Sequence, residues 1–340
     1  MSRIYDWKIN INKNELENVD EALNKKELIV FPTETVYGIG ANAFDGEACK
    51  KIFVAKGRPS DNPLIVHVSD RKMLDMCVSE VSPIEEKLIN DFMPGPFTLI
   101  LKKNDIIPLE VTAGLDTVAV RMPDNHIANE IIASFGKPIA APSANQSGKP
   151  SGTRISDIEY ELGDKVFALV DGGNTEIGLE STVVRVVDDV PVILRPGAVT
   201  TDDIIKSVGK VKVDEHVLNE VGENEVVLSP GMKHKHYSPK TKCVMVDIEN
   251  SEKREKFFEK YEDKKICVLG MGDNYSKTQN YTYWSMGKNL NEVSKNIFSL
   301  LRKADCYDFD VVFIESVPTE GVGLAVMNRL IRTCGYNVVK

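Results

Sequence analysis

Apolar and polar positions along this chain change period repeatedly, from two to three or four and back, with prolines and glycines at the joints. Leu28 to Phe31 is a short apolar run, the pattern of a buried strand. Pro32 ends it, since proline has no N–H to give to a ladder. Leu64, Val66 and Val68 alternate with Ile65 and His67, which puts the histidine on the face opposite the valines. Thr117 to Met122 repeats the device: Thr117, Ala119 and Arg121 share one face, Val118 and Val120 the other. Leu16, Val19, Ala22 and Leu23 form the stripe of a helix over 13–26. Ala48, Ile52 and Phe53 predict a second helix, stopped by Gly57. Further helices are expected near Pro83 to Phe92 and after Pro123–Asp124, the latter carrying Ile127, Ile131, Ile132 and Phe135 up to Gly136. PGPFTLIL, PIAAP, VFALV, GLESTVVRVV and VPVILRPG supply strands, the last two joined by a hairpin at Asp188–Asp189.

Beyond Val199 the pattern weakens. Thr201 to Val208 suits a short helix, and residues 209–228 are mixed and charged. SPGMKHKHYSPKTK (229–242) has no period at all and reads as a linker with a function. A metal site at His234 and His236 lacks nearby Cys or Asp partners, and a solvated basic linker is the plainer alternative. From 242 onward, strands CVMVDI, KICVLG and DVVFIES alternate with a charged helix and helices near 289–303 and 321–333. This βαβαβα rhythm predicts a small parallel α/β domain. Gly270-x-Gly272 lacks a third glycine and a following helix, so it is read as a turn. The expected division is a domain over 1–205, a linker and lid over 206–241, and a second domain over 242–340.

Composition narrows the function. The chain has 340 residues, 42% of them hydrophobic and 27% charged, enough for two domains with sizeable cores. A net charge of −9 argues against a dedicated nucleic-acid binder, so any RNA contact is expected to be weak, local and salt-sensitive. No apolar run is long enough for a membrane span, and MSRIYDWKIN lacks a signal-peptide core. The six cysteines are scattered without a C-x-x-C, which suits reduced core thiols in a cytoplasmic protein.

The candidate chemistry gathers in two stretches. In FPTETVYGIG, Thr33, Glu34, Thr35 and Tyr37 stand just past a strand's carboxyl end, where ligands bind in open α/β sheets. Gly38 and Gly40 allow positive φ or close approach to a ligand. Lys56 and Arg58 then emerge at a helix end, beside Pro59 and Pro63. SANQSGKPSG (143–152) is rich in hydroxyls and glycine and can wrap an anion, although it lacks P-loop spacing and also suits an exposed turn. GLESTVV places Glu180, Ser181 and Thr182 at a strand start, and Arg195 comes at a strand end. Arg58, Arg121, Arg195 and Lys56 together favour an anion site.

PTETVYGIGANA, KGRPSDNPL, APSANQSGKPSGT, GLESTVV, LRPG, SPGMKHKHYSP and GVGLAVMNRL occur in that order. By these blocks the chain resembles, over nearly its whole length, the long two-domain threonylcarbamoyl-AMP synthases. The resemblance implies a YrdC-like, twisted mixed-sheet α/β catalytic domain, joined by a long linker to a small Rossmann-like parallel α/β domain. It implies condensation of L-threonine, bicarbonate or CO₂, and ATP to threonylcarbamoyl-AMP and pyrophosphate, with Mg²⁺ accompanying ATP. Partner proteins would then transfer the threonylcarbamoyl group to the tRNA adenosine beside the anticodon. The family pattern gives ATP to Arg58, Asn62, Thr117, Ser143, Ser151, Arg195 and the linker's Tyr237, with His236 as the alternative linker contact. It gives L-threonine to Thr35, His67, Arg121, Ala141 and Ser181, and a catalytic set to Lys56, Arg58, Ser143 and Asn145. The rival reading is an RNA-binding YrdC-like module without synthase activity.

Overall fold

The structure, a computed structural model, describes residues 3–219, 237–248, 250–272 and 281–340. The linker segment 229–236, with His234 and His236, lies outside the described residues.

The first sheet is built from β1 (Arg3–Asp6), β2 (Ile29–Phe31), β3 (Gly38–Asn42), β4 (Ile65–His67), β5 (Phe97–Lys102) and β6 (Thr117–Arg121). It continues with β7 (Ile139–Ala140), β8 (Ala168–Asp171), β9 (Thr182–Val187), β10 (Val190–Arg195) and β11 (Lys212–Val213). Their order is β1-β8-β2-β3-β7-β4-β6-β5-β9-β10-β11. Pairing is mixed: β4 runs parallel to β6, whereas β7 runs antiparallel to β4, and β5 to β6. The second sheet, β12 (Cys243–Val246), β13 (Ile266–Met271), β14 (Thr282–Gly287), β15 (Val311–Glu315) and β16 (Val338–Val339), is parallel throughout in the order β14-β13-β15-β12-β16. Both expected architectures are therefore present. The helix Thr201–Val208 crosses the division expected at residue 205, and β11 still pairs with β10 beyond it.

Alternation in β4 does what its sequence requires. Val66 joins the main helix-covered core with Phe31, Leu74 and Val120. Ile65 instead faces a small apolar patch with Ile100, Ala119, Val183 and Leu194 on the other side of the sheet. That second face carries the pocket. A mixed sheet has no common carboxyl edge, so the ligand position expected there is replaced by one across the face. Gly40 also departs from expectation: a Cβ on it would stand 2.6 Å from Ile139 Cγ2 and 2.8 Å from Phe31 Cε1, so its backbone approaches neighbouring strands, not a ligand.

The two domains share apolar packing. Val36 and Leu179 of the first and Tyr237 of the linker pack into one cluster with Phe298, Val293 and Leu330 of the second. All six cysteines are free thiols, five of them buried. Among the described residues no helix is long and apolar enough to cross a membrane.

Candidate active site

The helix Gly46–Lys56 begins at Asp45, whose carboxylate accepts from the Glu47 and Ala48 amides, and ends at Gly57. Its last residue, Lys56, is buried with Nζ donating to the carbonyls of Ser143 and Asn145, both at 2.5 Å, and 3.4 Å from Asn145 Oδ1. Burial, then the charge of Arg58, push the ammonium pKa well below its ordinary value. The charges of Glu161 and Glu180 oppose that shift. Lys56 thus holds the 143–152 loop, where the sequence suggested a member of an anion site. Ser143 Oγ donates to Asn145 Oδ1 at 2.7 Å, and Asn145 Nδ2 donates to the Gln146 and Lys149 carbonyls. The loop is an ordered cradle.

Arg58 leaves the helix end and donates through Nη2 to the carbonyls of Asn62 and Pro63, at 3.3 and 3.2 Å. Its Nε is buried without a protein acceptor, and burial pulls the guanidinium pKa down to about 10. Arg195 ends β10 and donates through Nε to Ser181 O at 3.1 Å and through Nη2 to Ser181 Oγ at 3.2 Å. Burial likewise pulls its pKa down to about 10.

The register sets His67 directly beside Arg121 on adjacent parallel strands. Arg121 donates through Nη1 to Thr35 Oγ1 at 2.8 Å, and its Nη2 stands 2.7 Å from Glu34 Oε1. That charge contact lacks hydrogen-bond alignment, so Arg121 Nε and Nη2 and both Glu34 oxygens have no hydrogen-bond partner. A planar guanidinium with two unused donors suits a carboxylate. His67 is buried, 3.2 Å through Nδ1 from Ile65 O, and burial with the Arg121 charge pulls its pKa down to about 3. It is neutral at physiological pH.

Lys56, Arg58, His67, Arg121, Ala141, Ser143 and Asn145 line one cavity, and Ser151, Ser181, Arg195 and Tyr237 complete the sequence-predicted part of its wall. The cavity encloses about 720 Å³, open mouth included. Three predicted residues stand off the wall. Thr35 is buried behind it, bonded to Arg121, and Asn62 is buried with its carbonyl on Arg58. Thr117 begins β6, four residues and so roughly 13 Å along the strand from Arg121.

Sequence reasoning placed Thr33, Tyr37 and Glu180 in the candidate stretches without naming their contacts, and gave no role to Arg302. Thr33 bonds the Thr35 hydroxyl at 2.8 Å, and Tyr37 fixes the turn after β8 by donating to Gly173 O at 2.6 Å. Glu180 lines the cavity and accepts from Ser151 Oγ at 2.5 Å and from Arg329 Nε at 3.0 Å. Arg302 of the second domain donates to Pro150 O at 2.5 Å and Glu161 Oε1 at 2.9 Å, and Glu161 in turn accepts from the Gln146 amide at 2.8 Å. The Tyr237 ring stacks on Phe298, 5.2 Å between centroids. GVGLAVMNRL contains Arg329, but nothing local marks its distant partner.

Fold and pocket define a two-domain α/β protein with a buried cationic cleft of a kind that suits anions. Residues 21–197 match the family model described as telomere recombination (Sua5, YciO, YrdC), and residues 199–335 the threonylcarbamoyl-AMP synthase C-terminal domain. The chain is 40% identical over 343 residues to the threonylcarbamoyl-AMP synthase of Pyrococcus abyssi, covering 99% of this chain and 97% of that one. It is 40% identical over 337 residues to the Bacillus subtilis synthase, covering 98% and 96%. The crystal structure of P. abyssi Sua5 complexed with L-threonine superposes with a TM-score of 0.92 at 39% identity, over 99% of each chain. The chain belongs to the threonylcarbamoyl-AMP synthase family, in its long form with both domains.

Proposed function

We propose that this cavity joins L-threonine, bicarbonate or CO₂, and ATP into L-threonylcarbamoyladenylate, for transfer by partner proteins to the tRNA adenosine beside the anticodon. The observation that carries this reading is the buried guanidinium of Arg121, its Nε unpartnered, next to neutral His67 and in the same cavity as Arg58 and Arg195. One end suits an amino acid's carboxylate, the other a polyphosphate. A relative crystallised with L-threonine supports the first assignment.

In this reading the threonine ammonium first gives a proton to solvent; the neutral nitrogen then bonds to the carbon of CO₂ with release of a second proton, or to that of bicarbonate with loss of water, leaving a carbamate. A carbamate oxygen then attacks the α-phosphorus of ATP, and the bond to pyrophosphate breaks. Arg121 holds the carboxylate, while His67 and Ser181, with Thr35 behind them, read the amine and hydroxyl. Arg58 and Arg195 face developing phosphate charge, where a donor of this kind contributes about 3–4 kcal/mol. Lys56 with Ser143 and Asn145 fixes the cradle for the phosphates, Ser151 borders the nucleotide's path, and Asn62 acts from behind the wall through its carbonyl on Arg58, whereas Thr117 stands off the cavity. Ala141 offers its backbone to threonine, and Tyr237 covers the nucleotide and helps exclude water from a labile carbamate.

Magnesium enters as the companion of ATP. Glu180, the carboxylate that lines the cavity, is paired with Arg329, Glu34 lies in charge contact with Arg121, and among the described residues no three metal-ligating side chains converge. The ion would be held by phosphate oxygens and supply charge neutralisation there. An RNA-binding role would need cations facing solvent, whereas Lys56, Arg121 and Arg195 are buried. Pyrophosphate release measured with threonine and bicarbonate omitted in turn tests the proposal: dependence on both is expected, and release without either overturns it.

A further inference from the structure

Arg329 belongs to the helix Gly323–Thr333 of the second domain and is fully buried, at 0% exposure. Nearly all of its guanidinium is directed at the first domain. Nε donates to Glu180 Oε2 at 3.0 Å, Nη2 to Glu180 O at 3.3 Å, and Nη1 to Pro196 O at 2.5 Å and its own neighbour Asn328 Oδ1 at 3.1 Å. These acceptors flank pocket residues: Ser181 follows Glu180, Arg195 precedes Pro196, and Arg195 Nε itself bonds Ser181 O. The second Glu180 oxygen takes the Ser151 hydroxyl. The same segment is gripped three residues before Glu180, where Ser294 Oγ donates to Ile177 O at 2.9 Å. Gly178, at φ +82°, lies so close to the helix Leu290–Ala304 that a Cβ would stand 2.6 Å from Lys295 Cα. Arg329 itself does not line the cavity.

We propose that Arg329 is a positioning residue for the synthase reaction, acting through Glu180 to set Ser181 and Ser151 and to tie them to Arg195. The inference rests on the substrate reading given above and extends it: the second domain supplies part of the pocket's geometry. A well-packed apolar pair would hold two domains together at least as well as a buried ion pair, because the pair must first lose its hydration. What the guanidinium adds is direction, a rigid fork that fixes one carboxylate and two carbonyls at once. Misplacing reacting groups by about 1 Å lowers rates on the order of 10²-fold.

Glu180 gives the proposal a spectroscopically silent but kinetically visible marker. Burial works against its charge, yet Arg329, Arg195 and the Ser151 hydroxyl outweigh it and hold the carboxyl below its usual range. Glu180 also faces Tyr237 and, through their charges, Lys56. Without Arg329, burial is opposed by fewer charges, and Glu180 takes up a proton at higher pH.

The test compares Arg329→Met, Arg329→Lys, Glu180→Gln and Arg329→Met with Glu180→Gln, all in the full chain. Threonine-dependent pyrophosphate release is followed from about pH 5.5 to 9 with separate titrations of threonine and ATP. Arg329→Met is expected to lower kcat roughly 10²-fold with only a few-fold change in KM, and to add an acid limb to the pH–rate profile. Arg329→Lys, which keeps the charge without the fork, should fall between. The double variant removes both members of the ion pair; it should fold, lack the new limb, and be no slower than Arg329→Met alone. If Arg329→Met does not fold, the lysine and double variants carry the comparison. Near-wild-type kcat in Arg329→Met, or in the lysine and double variants if Arg329→Met does not fold, overturns the inference. So do losses that multiply with those of Glu180→Gln, or an unchanged pH profile. Absence of threonine-dependent release from the wild-type chain overturns the substrate reading instead, and this inference with it.

Discussion

Replacing Arg121 by methionine separates binding from stability at this site. The guanidinium lies 2.7 Å from Glu34 Oε1, with both side chains 5% exposed, so neither charge is screened by solvent. Removing one partner of such a pair leaves the other buried and uncompensated, which costs about 3–5 kcal/mol. For a domain of this size that lowers the melting midpoint by on the order of 10 °C. Replacing Glu34 by methionine as well removes the stranded charge, and most of the loss should be recovered, because apolar replacement of a buried pair is close to neutral. Threonine binding, by contrast, should be absent from both variants, since its carboxylate has lost the fork. Differential scanning calorimetry gives the midpoints and titration calorimetry the binding. A double variant as unstable as the single one would refute the pairing argument. Wild-type threonine affinity in Arg121→Met would refute the carboxylate assignment.

Three further outcomes follow from the same geometry. His67 titrates near pH 3 when folded and near 6.5 when unfolded, so the unfolded chain binds more protons in between. Stability is therefore complete above about pH 6.5 and falls as the pH drops toward 3, by about 2 kcal/mol at pH 5; His67→Gln should flatten this, and parallel melting profiles for both proteins would count against it. Tyr237→Ala removes the ring stacked on Phe298 and should raise the KM for ATP up to about ten-fold, whereas Tyr237→Phe keeps the stack; equal KM values in wild type and Tyr237→Ala would exclude the tyrosine as a wall for the nucleotide. Valine, lacking the hydroxyl that the site is built to bond, should be used on the order of 10⁴-fold less well than threonine, and comparable kcat/KM values would contradict the side-chain assignment.

Elements with local punctuation were legible from the sequence. Pro83 to Phe92 forms the expected helix because Ser82 and Glu85 make a reciprocal capping box with proline in the first turn. Asp188 and Asp189 both adopt positive φ, as a two-residue hairpin turn demands. The Thr201–Val208 helix is likewise framed by its Thr200 cap and Gly209. What escaped has weak local signals. β1 and β11 are short, largely exposed edge strands, and the glycines of β3 read as a loop although close packing against Phe31 and Ile139 makes them a strand. β14 has an intermediate pattern in which Trp284 and Tyr283 stand part-buried beside polar neighbours. The helices Arg71–Cys77 and Ile155–Leu162 are short and were not anticipated. At the site, residues brought close by one turn or one strand pairing could be named in advance. Arg329 and Arg302 could not, since their partners lie 149 and 141 residues away and no spacing announces a contact made only by domain docking. Lys56 was identified, yet its loop contacts became visible only once the 143–152 carbonyls were in place.

If one buried cleft unites an amino acid, a one-carbon unit and a nucleotide, the product carries all three. The most direct measurement of this is mass spectrometry of the nucleotide product after incubation with ¹³C-bicarbonate, ¹⁵N-threonine and MgATP. A single adenylate carrying both labels, formed with stoichiometric pyrophosphate, is the predicted result. AMP or ADP bearing neither label, formed at the same rate when threonine is withheld, would contradict it.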